Sequence, residues 1–219
     1  MRIAVMQPYF YPYAGYFRLL AASDVFVLYD DVQFPRRGRV HRCEIRSGHW
    51  LTLPLARQPR ETLIQDLQWH EDAREALDTR LASLNMACST DSPVSAAVNH
   101  HLNGPLGEVV DFLEAGIRLV AETTGIHTPI IRSSALGIVT SLRGHARIIE
   151  IVRMLCGHSY LNAPGGRNLY DPTDFDAAGL GLEFLTPYSG QFFHILQPLM
   201  AGEATELGED IRRTCNTVV

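Results

Sequence analysis

Two adjacent acidic residues stand where a short apolar run ends. The run 27–29 is followed by Asp30 and Asp31, and the paired arginines Arg36 and Arg37 come soon after. A carboxylate at this position could remove a proton from an acceptor, bind a ribose hydroxyl, orient a basic group or hold a magnesium ion. The alternative is a pair of strand-end acids that only bond nearby N–H groups and arginines. Because both charge signs meet at one strand end, we favour catalysis by Asp30 or Asp31.

A strongly basic stretch follows these acids. Five arginines and a histidine fall within eleven residues: Arg36, Arg37, Arg39, His41, Arg42 and Arg46. Arginine binds phosphate through bidentate, charge-assisted hydrogen bonds. The stretch therefore predicts contacts from Arg36, Arg37 and Arg42 to a phosphate-bearing donor such as coenzyme A, phosphopantetheine or a nucleotide, with His41 as a candidate base. The alternative is a solvated basic surface, and a net charge of −5 argues against DNA as a partner of the whole molecule.

The opening segment 7–17 is rich in tyrosine and proline. Gly15 stands where a turn enters a helix, and the N-terminus of a helix offers free N–H groups to a phosphate or carboxylate. The alternative is that these aromatic residues pack a tight turn. On the functional interpretation, the ligand-binding candidates of the segment are Gln7, Tyr11, Tyr13, Gly15 and Tyr16.

Two later segments also follow predicted strands. Ser133 and Ser134 could bind a ligand, although serines at such turns commonly cap helices. Gly165, Gly166 and Tyr170 belong to a loop whose backbone N–H groups could reach a ligand, or to a plain turn. The histidines form no HxxxH or HExxH pattern and the cysteines no CxxC pair, so we predict no metal site held by histidine and no structural zinc.

The elements that must position these residues have an alternating order. An apolar run at 3–6, a helix from Gly15 and a β-branched run at 25–29 predict a βαβ unit with parallel strands. Further strands are predicted at 128–132, 159–161 and 181–185, and one at 49–55 on a sheet edge or end. Helices are predicted at 107–124, at 144–156, from Thr173 and in the tail after residue 208.

The predicted fold is α/β, a Rossmann-like parallel sheet flanked by helices, with a largely helical middle. Residues 1–219 are predicted to form one domain, with a helical insertion or cap at about 57–125. In a parallel sheet, ligands bind at the carboxyl ends of the strands, so the residues that follow strands should share one cleft. We expect this of Asp30, Asp31, Arg37, Arg42 and the pair Gly165-Gly166.

Neither a membrane span nor an export signal is present in the sequence. No apolar run approaches the roughly 18 residues that a spanning helix needs. The first apolar run meets Gln7-Pro8 too early to form the core of a signal peptide. We therefore expect a cytoplasmic protein with no membrane partner.

Four segments resemble one protein family. The residues 7–17, 22–42, 132–136 and 160–184 look like the WbqC-like protein family. The resemblance implies a bacterial cytoplasmic protein that transfers glycine or a similar small acyl group to a sugar or metabolite, in polysaccharide or natural-product biosynthesis. The family's late segment has the form Ser, two apolar residues, Asp. Here His194 to Gln197 stands in that place, which makes His194 a candidate site residue.

The opening also resembles distantly the nucleotidyltransferase and class I synthetase signature, in which a Gly-His pair follows the first strand. Gly15-Tyr16 occupies that place, and a tyrosine does not supply the imidazolium that stabilises charge on a transferring nucleotide. The resemblance therefore supports the sheet topology, while the tyrosine argues against nucleotidyl transfer by the usual route.

Three functions remain open from the sequence. The first is transfer of an activated small acyl group to an amine or hydroxyl of a small acceptor molecule. Its donor would be an acyl carrier protein, coenzyme A or an aminoacyl-tRNA. The second is a nucleotide- or nucleotide-sugar-dependent transferase, and the third is a non-catalytic module that binds a carrier protein or a metabolite.

Overall fold

A computed structural model describes residues 1–215 except 85, 87 and 140, together with the backbone of residues 217–218. Its main sheet contains five parallel strands, with a short sixth strand antiparallel at one edge. The spatial order is β5-β2-β1-β6-β7-β8, where the strands are β1 (Arg2–Met6), β2 (Val25–Leu28), β5 (Ile130–Arg132), β6 (Ser159–Asn162), β7 (Gly181–Leu185) and β8 (Thr217–Val218). The strand order reverses between β1 and β6, as in a Rossmann-like fold, which confirms the predicted α/β class.

The predicted opening unit is confirmed. Helix α1 (Ala14–Ala21) joins β1 to β2, and the two strands pair in parallel with Ile3 opposite Val25. The turn between α1 and β2 is fixed by Asp24, whose carboxylate accepts a hydrogen bond of 2.6 Å from the backbone N–H of Arg2. The parallel pairing of β1 and β2 places the residues that follow β2, beginning with Tyr29, at the carboxyl edge of the sheet.

Helices cover both faces of the sheet. Ala4 belongs to the hydrophobic cluster of one face, while Ile3 and Val5 belong to the cluster of the other, as the alternation along a strand requires. After α1 the helices are α2 (Ala73–Leu84), α3 (Pro93–Asn103), α4 (Val109–Thr123), α5 (Gly144–Met154), α6 (Pro172–Ala177), α7 (Leu196–Ala201) and α8 (Ala204–Arg213). The cluster of the first face includes residues of α1, α2, α3, α4, α7 and α8, and that of the second face residues of α5 and α6. None of the helices in the described ranges has the length and apolar character that crossing a membrane requires.

A separate hairpin follows the basic stretch. Strand β3 (Arg42–Arg46) pairs antiparallel with β4 (His49–Thr52), outside the main sheet. The strand predicted at 49–55 therefore exists in shorter form, as an edge strand of a two-stranded sheet. In β3 the buried side chains of Cys43 and Ile45 alternate with more exposed polar ones, the pattern of a half-buried strand. The concentration of arginines obscured this alternation in the sequence.

His101 ties the opening segment to the helical middle of the chain. Its Nδ1 lies 2.8 Å from the Tyr11 hydroxyl, and its Nε2 lies 2.9 Å from the carbonyl oxygen of Phe112. The imidazole also stacks on the Phe112 ring, with 4.2 Å between centroids. A neutral imidazole fits both bonds, because it accepts from the hydroxyl at Nδ1 and donates to the carbonyl from Nε2. Burial lowers the pKa of His101 accordingly.

We expect this histidine to make the protein less stable in acid. Its pKa is lower in the folded than in the unfolded chain, so the unfolded chain binds more protons once the pH falls below about 6.5. The free energy of unfolding should therefore decrease from pH 6.5 downwards. Urea unfolding of the parent and of His101→Gln at several pH values measures this. A parent and a variant with the same pH dependence would contradict the assignment to His101.

Candidate functional site

The carboxyl group of Asp30 holds together the ends of two neighbouring strands. Asp30 is completely buried directly after β2, and Ser133 and Ser134 follow β5. One carboxyl oxygen accepts 3.0 Å hydrogen bonds from the Ser133 hydroxyl and the Ser134 backbone N–H, and the other accepts a 2.6 Å bond from the Ser134 hydroxyl. The structure thus brings these three candidate residues together, with Asp30 serving as the acceptor for the turn after β5.

Asp31 points from the same strand end toward α5. It accepts a 2.6 Å hydrogen bond from the Ser133 hydroxyl and forms an ion pair with Arg147. Since the serine hydroxyl has a single hydrogen, it donates to Asp30 or to Asp31 at a given moment. Arg147 is 3% exposed, and its guanidinium also lies 6.0 Å from the ring centre of Tyr29. Asp31 is consequently oriented from two sides.

A cavity of about 530 Å³ opens beside this pair, within the usual size of small-molecule pockets. We call it the β2–β5 cavity. Polar side chains of both charge signs and several apolar groups line it: Tyr29, Asp31, Val32, Gln33, Glu61, Leu63, Gln65, Ser134, Gly137, Ile138, Arg143 and Arg147. Its position at the carboxyl ends of β2 and β5 is one where parallel sheets place ligands.

One wall of the cavity comes from residues 61–65. This segment runs antiparallel to residues 30–34, with Gln33 paired with Leu63. The backbone N–H of Gln65 donates to the carbonyl of Asp30 at 2.8 Å, so the wall is fixed directly to the end of β2. Glu61, Leu63 and Gln65 thereby reach the cavity although they lie about thirty residues further along the chain.

Tyr29 supplies a hydroxyl group that stays protonated at neutral pH. Burial raises its pKa to about 12; the nearby Arg147 lowers it, and the carboxylate of Asp31 and the hydroxyl of Tyr170 raise it. The hydroxyl of Tyr170, a predicted site residue, lies 3.5 Å from that of Tyr160, and Tyr170 is outside the cavity lining. The phenol of Tyr29 is therefore available as a hydrogen-bond donor in the cavity.

The basic stretch lies beside the cavity and outside its lining. Arg36 donates to the carbonyl of Gln58 at 2.8 Å, in the segment that leads to the cavity wall. Arg42 donates to the carbonyls of Arg37 and Gly38, and its guanidinium packs 4.7 Å from the ring centre of Trp50. Of the predicted phosphate-binding residues, Arg36 and Arg37 lie in the loop before β3 and are exposed, and Arg42 is the first residue of β3 and is half-buried. Arg36 and Arg42 are held by bonds to backbone carbonyls.

His41 follows the same loop but faces the protein interior. Its ring packs edge-on against Phe34, with 5.1 Å between the ring centres. The buried Nδ1 of His41 has no hydrogen-bond partner in the described part of the chain. Burial, and to a smaller extent the charge of Arg42, lower the pKa of this histidine. His41 is therefore placed beside Phe34 and not in the β2–β5 cavity.

The opening segment uses its predicted ligand groups within the protein. The Tyr16 hydroxyl donates to the carbonyl of Gln7 at 3.0 Å, and the Tyr11 hydroxyl meets His101. At the start of α1 the N–H of Ala14 donates to the carbonyl of Phe192 at 3.0 Å. The Tyr13 ring lies against Gly15, where an added Cβ would come within 2.1 Å of it. Here the glycine makes room for an aromatic ring.

Gly165 and Gly166 lie in the 3₁₀ turn Pro164–Leu169 that follows β6. A Cβ at Gly166 would meet the amide of Asn162 at 2.1 Å, so this glycine permits close packing, while Gly165 is exposed. His194 lies elsewhere, with its Nδ1 3.9 Å from a carboxylate oxygen of Glu44 in β3. The structure therefore groups Asp30, Asp31, Ser133 and Ser134, but brings none of these later residues into the cavity lining.

A different cluster carries the ligand atoms that a metal could use. The side chains of His70, Glu71 and Asp72, all exposed, place one donor atom each within 4.8 Å of one another. Exposed groups of this kind are common without an ion, and these three lie outside the lining of the β2–β5 cavity. They provide no basis for a metal-dependent step in that cavity.

The comparisons with known proteins agree with the resemblance seen in the sequence. The chain is 25% identical over 199 residues to "Uncharacterized protein Rv1507c" of Mycobacterium tuberculosis (strain ATCC 25618 / H37Rv), an alignment that covers 80% of this chain and 78% of the relative. No solved structure matches the chain significantly. The model of the WbqC-like protein family matches residues 7–196, a span that includes the strand ends, the basic loop and the whole β2–β5 cavity. The chain therefore belongs to the WbqC-like protein family.

Proposed function

We propose that this protein is a transferase that moves an activated small acyl group to an amine or hydroxyl of a small acceptor held in the β2–β5 cavity. The observation that carries the proposal is the meeting of a carboxylate, a hydroxyl and two arginines around one cavity of small-molecule size. Asp31, Ser134, Arg143 and Arg147 supply these groups. A cavity that combines apolar walls with a few convergent polar groups is the usual form of a binding site for a small molecule.

In the proposed reaction the acceptor lies with its amine or hydroxyl beside Asp31. The acceptor nitrogen or oxygen attacks the acyl carbonyl, its proton passes to Asp31, and the bond between the acyl carbon and the donor's leaving group breaks. The leaving group then takes up that proton from Asp31, which returns the carboxylate to its charged form. Tyr29 is the candidate to stabilise negative charge that develops on the carbonyl oxygen, since its phenol is protonated and lines the cavity. Asp30, by contrast, is assigned a positioning role through Ser133 and Ser134.

The donor would approach along the basic loop. Arg36 is bonded to Gln58, three residues before Glu61 at the cavity, so the loop and the cavity wall are continuous along the surface. A phosphate-bearing donor such as coenzyme A or the phosphopantetheine of a carrier protein could contact Arg36 and the exposed Arg37 while its acyl end enters the cavity. The aminoacyl-tRNA alternative uses the same contacts.

The nucleotide-dependent alternative has less support from the geometry. It needs open N–H groups at the start of α1, where the backbone N–H of Ala14 is bonded to Phe192 and that of Tyr16 to Tyr13. Gly15 is buried beneath the Tyr13 ring, so a phosphate would have to displace that ring. We therefore favour the acyl-transfer proposal over a nucleotide-sugar-dependent transferase.

The test is a transfer assay with a variant that fills the cavity. A panel of acyl-coenzyme A and acyl carrier protein thioesters is incubated with amine and hydroxyl acceptors, and the products are identified by mass spectrometry. We expect Leu63→Trp to abolish transfer, because the larger ring occupies the space between the wall and Asp31. Leu169→Trp, at a leucine that is 74% exposed, is the matched control and should retain transfer. Equal turnover in the two folded variants would place the acceptor elsewhere.

A further inference from the structure

Arg147 is buried with most of its hydrogen-bonding capacity unused. A guanidinium carries five N–H donors, and in the described part of the chain those of Arg147 meet the carboxylate of Asp31 and, at 3.4 Å, the carbonyl of Val139. Its Nε is buried without a partner. Each terminal nitrogen keeps a second N–H group with no acceptor in the described part of the chain, and an unmet buried donor is costly, more so on a charged group. Because Arg147 lines the β2–β5 cavity, water or a ligand in the cavity can accept from these terminal groups, although not from the enclosed Nε.

The N-terminus of α5 lies at the end of the β2–β5 cavity that Arg147 lines. Arg143 is the N-cap residue of this helix of 11 residues and lines the cavity, and Arg147 lies one turn further along. Arg143 does not cap the helix with its own side chain, and the first turn of α5 carries no acidic residue. The partial positive charge of the helix end therefore adds to that of the two guanidinium groups.

The negative groups of the cavity lie on other elements. Asp31 follows β2, where its charge is paired with Arg147, and Glu61 belongs to the wall formed by residues 61–65. A ligand that is anionic along its whole length would meet both carboxylates. A ligand with one anionic end and one hydrogen-bond-donating end matches this layout, with the anion at α5 and the donor at Asp31.

We infer that the occupant of the β2–β5 cavity carries a carboxylate or phosphate group, which the start of α5 binds through Arg143 and Arg147. The inference rests on the proposed function in taking this occupant to be the acceptor. The acceptor class is then an anionic hydroxyl or amino compound, such as a sugar acid or a sugar phosphate. The recognising chemistry is the same for both sources, an oxyanion against two guanidinium groups and a helix N-terminus.

The experiment measures binding without any transfer reaction. The intact protein is titrated by calorimetry, at constant ionic strength, with glucuronate and with glucose 6-phosphate. Glucose, which has the same ring but no charged group, is the control. We expect at least one anionic sugar to bind and to raise the melting temperature, while glucose does neither. Preference for glucuronate identifies a carboxylate site, and preference for glucose 6-phosphate a phosphate site.

Variants then assign the binding to α5. Arg143→Gln and Arg147→Lys should each weaken the anionic sugar by about 10-fold or more, since each loses charge-assisted hydrogen bonds. Arg153→Gln, at an exposed arginine near the other end of α5, should leave the affinity unchanged. Arg143→Gln keeps the proposal testable if Arg147→Lys does not fold. Equal binding of glucose and the anionic sugars, or no binding of any, would overturn the inference, as would unchanged affinity in Arg143→Gln.

The result is separable from the proposed function. Anion binding that depends on Arg143, in a protein that transfers no acyl group, would leave this inference standing and remove the transferase proposal. Conversely, if the protein transfers an acyl group to a neutral acceptor and Leu63→Trp abolishes that transfer, the transferase proposal stands and this inference is removed.

Discussion

Replacement of Asp31 by asparagine is expected to reduce acyl transfer by about 10²–10⁴-fold, the usual contribution of a general base. The amide keeps the size of the side chain and can still accept the hydrogen bond from Ser133, but it cannot take the proton of the acceptor. Donor binding should persist, because the proposed donor contacts lie on the basic loop. Single-turnover rates and donor titrations on the parent and on Asp31→Asn measure the two effects separately.

The same substitution at Asp24 provides the control. Asp24 precedes β2 and so lies at the opposite edge of the sheet, where its carboxylate accepts from the backbone of Arg2. Asp24→Asn should leave turnover unchanged. Since Asp31→Asn also weakens the ion pair with Arg147, its melting temperature must be recorded, and rates compared per folded molecule. A folded Asp31→Asn variant with parental turnover would refute the role of Asp31 as base.

The opening unit of the main sheet could be predicted because its signals are local. The apolar run at 3–6, the break at Ser23-Asp24 and the β-branched run at 25–29 each lie within one element, and the structure confirms the parallel pair that they indicate. Because β2 and β5 are neighbouring parallel strands, the acids after β2 lie beside the serines after β5, as found for Asp30 and Ser133. This neighbourhood depends on the strand order, which the local signals do not give.

The position of Arg147 in its helix indicates burial from the sequence alone. Within α5, Arg147 lies four residues before the buried Ile151 and so shares its helical face. An arginine on the apolar face of an amphipathic helix must find a partner in the interior, since an unpaired buried charge is strongly disfavoured. That position predicts a buried ion pair, although its partner, Asp31, is 116 residues away and only the fold identifies it.

The remaining cavity residues could not be derived from local patterns. Residues 61–65 join the site through an antiparallel pairing with residues 30–34, which depends on how the intervening hairpin folds back. The basic loop shows the same dependence on backbone conformation. Charge alone does not distinguish an arginine bonded to nearby carbonyls, such as Arg42, from an exposed one, such as Arg37. The distinction requires the backbone conformation of the loop.

Replacement of Asp30 by leucine is expected to lower the free energy of unfolding by about 2–4 kcal/mol, because it removes the acceptor from buried donors. Leucine has a similar size but accepts no hydrogen bond from the Ser133 hydroxyl or from the Ser134 N–H. Ser133 is completely buried, so its hydroxyl can turn only to Asp31, whereas Ser134 is exposed and can turn to water. Asp30→Asn keeps one carbonyl acceptor and should cost less. Urea unfolding of the parent and both variants gives these values.

A double-mutant cycle then isolates the contact that positions the site. If Asp30 stabilises the protein by accepting from Ser133, Ser133→Ala should cost less in the Asp30→Leu background than in the parent, because the bond to Asp30 is already lost there and only the bond to Asp31 remains to be removed. Additive losses in the cycle would mean that the two side chains act independently. Turnover tests the other assignment: an Asp30→Asn variant with parental stability but turnover reduced by about 10²-fold or more would make Asp30 the base. The expected outcome is the opposite, a loss of stability from Asp30→Leu that is coupled to Ser133, with proton transfer left to Asp31.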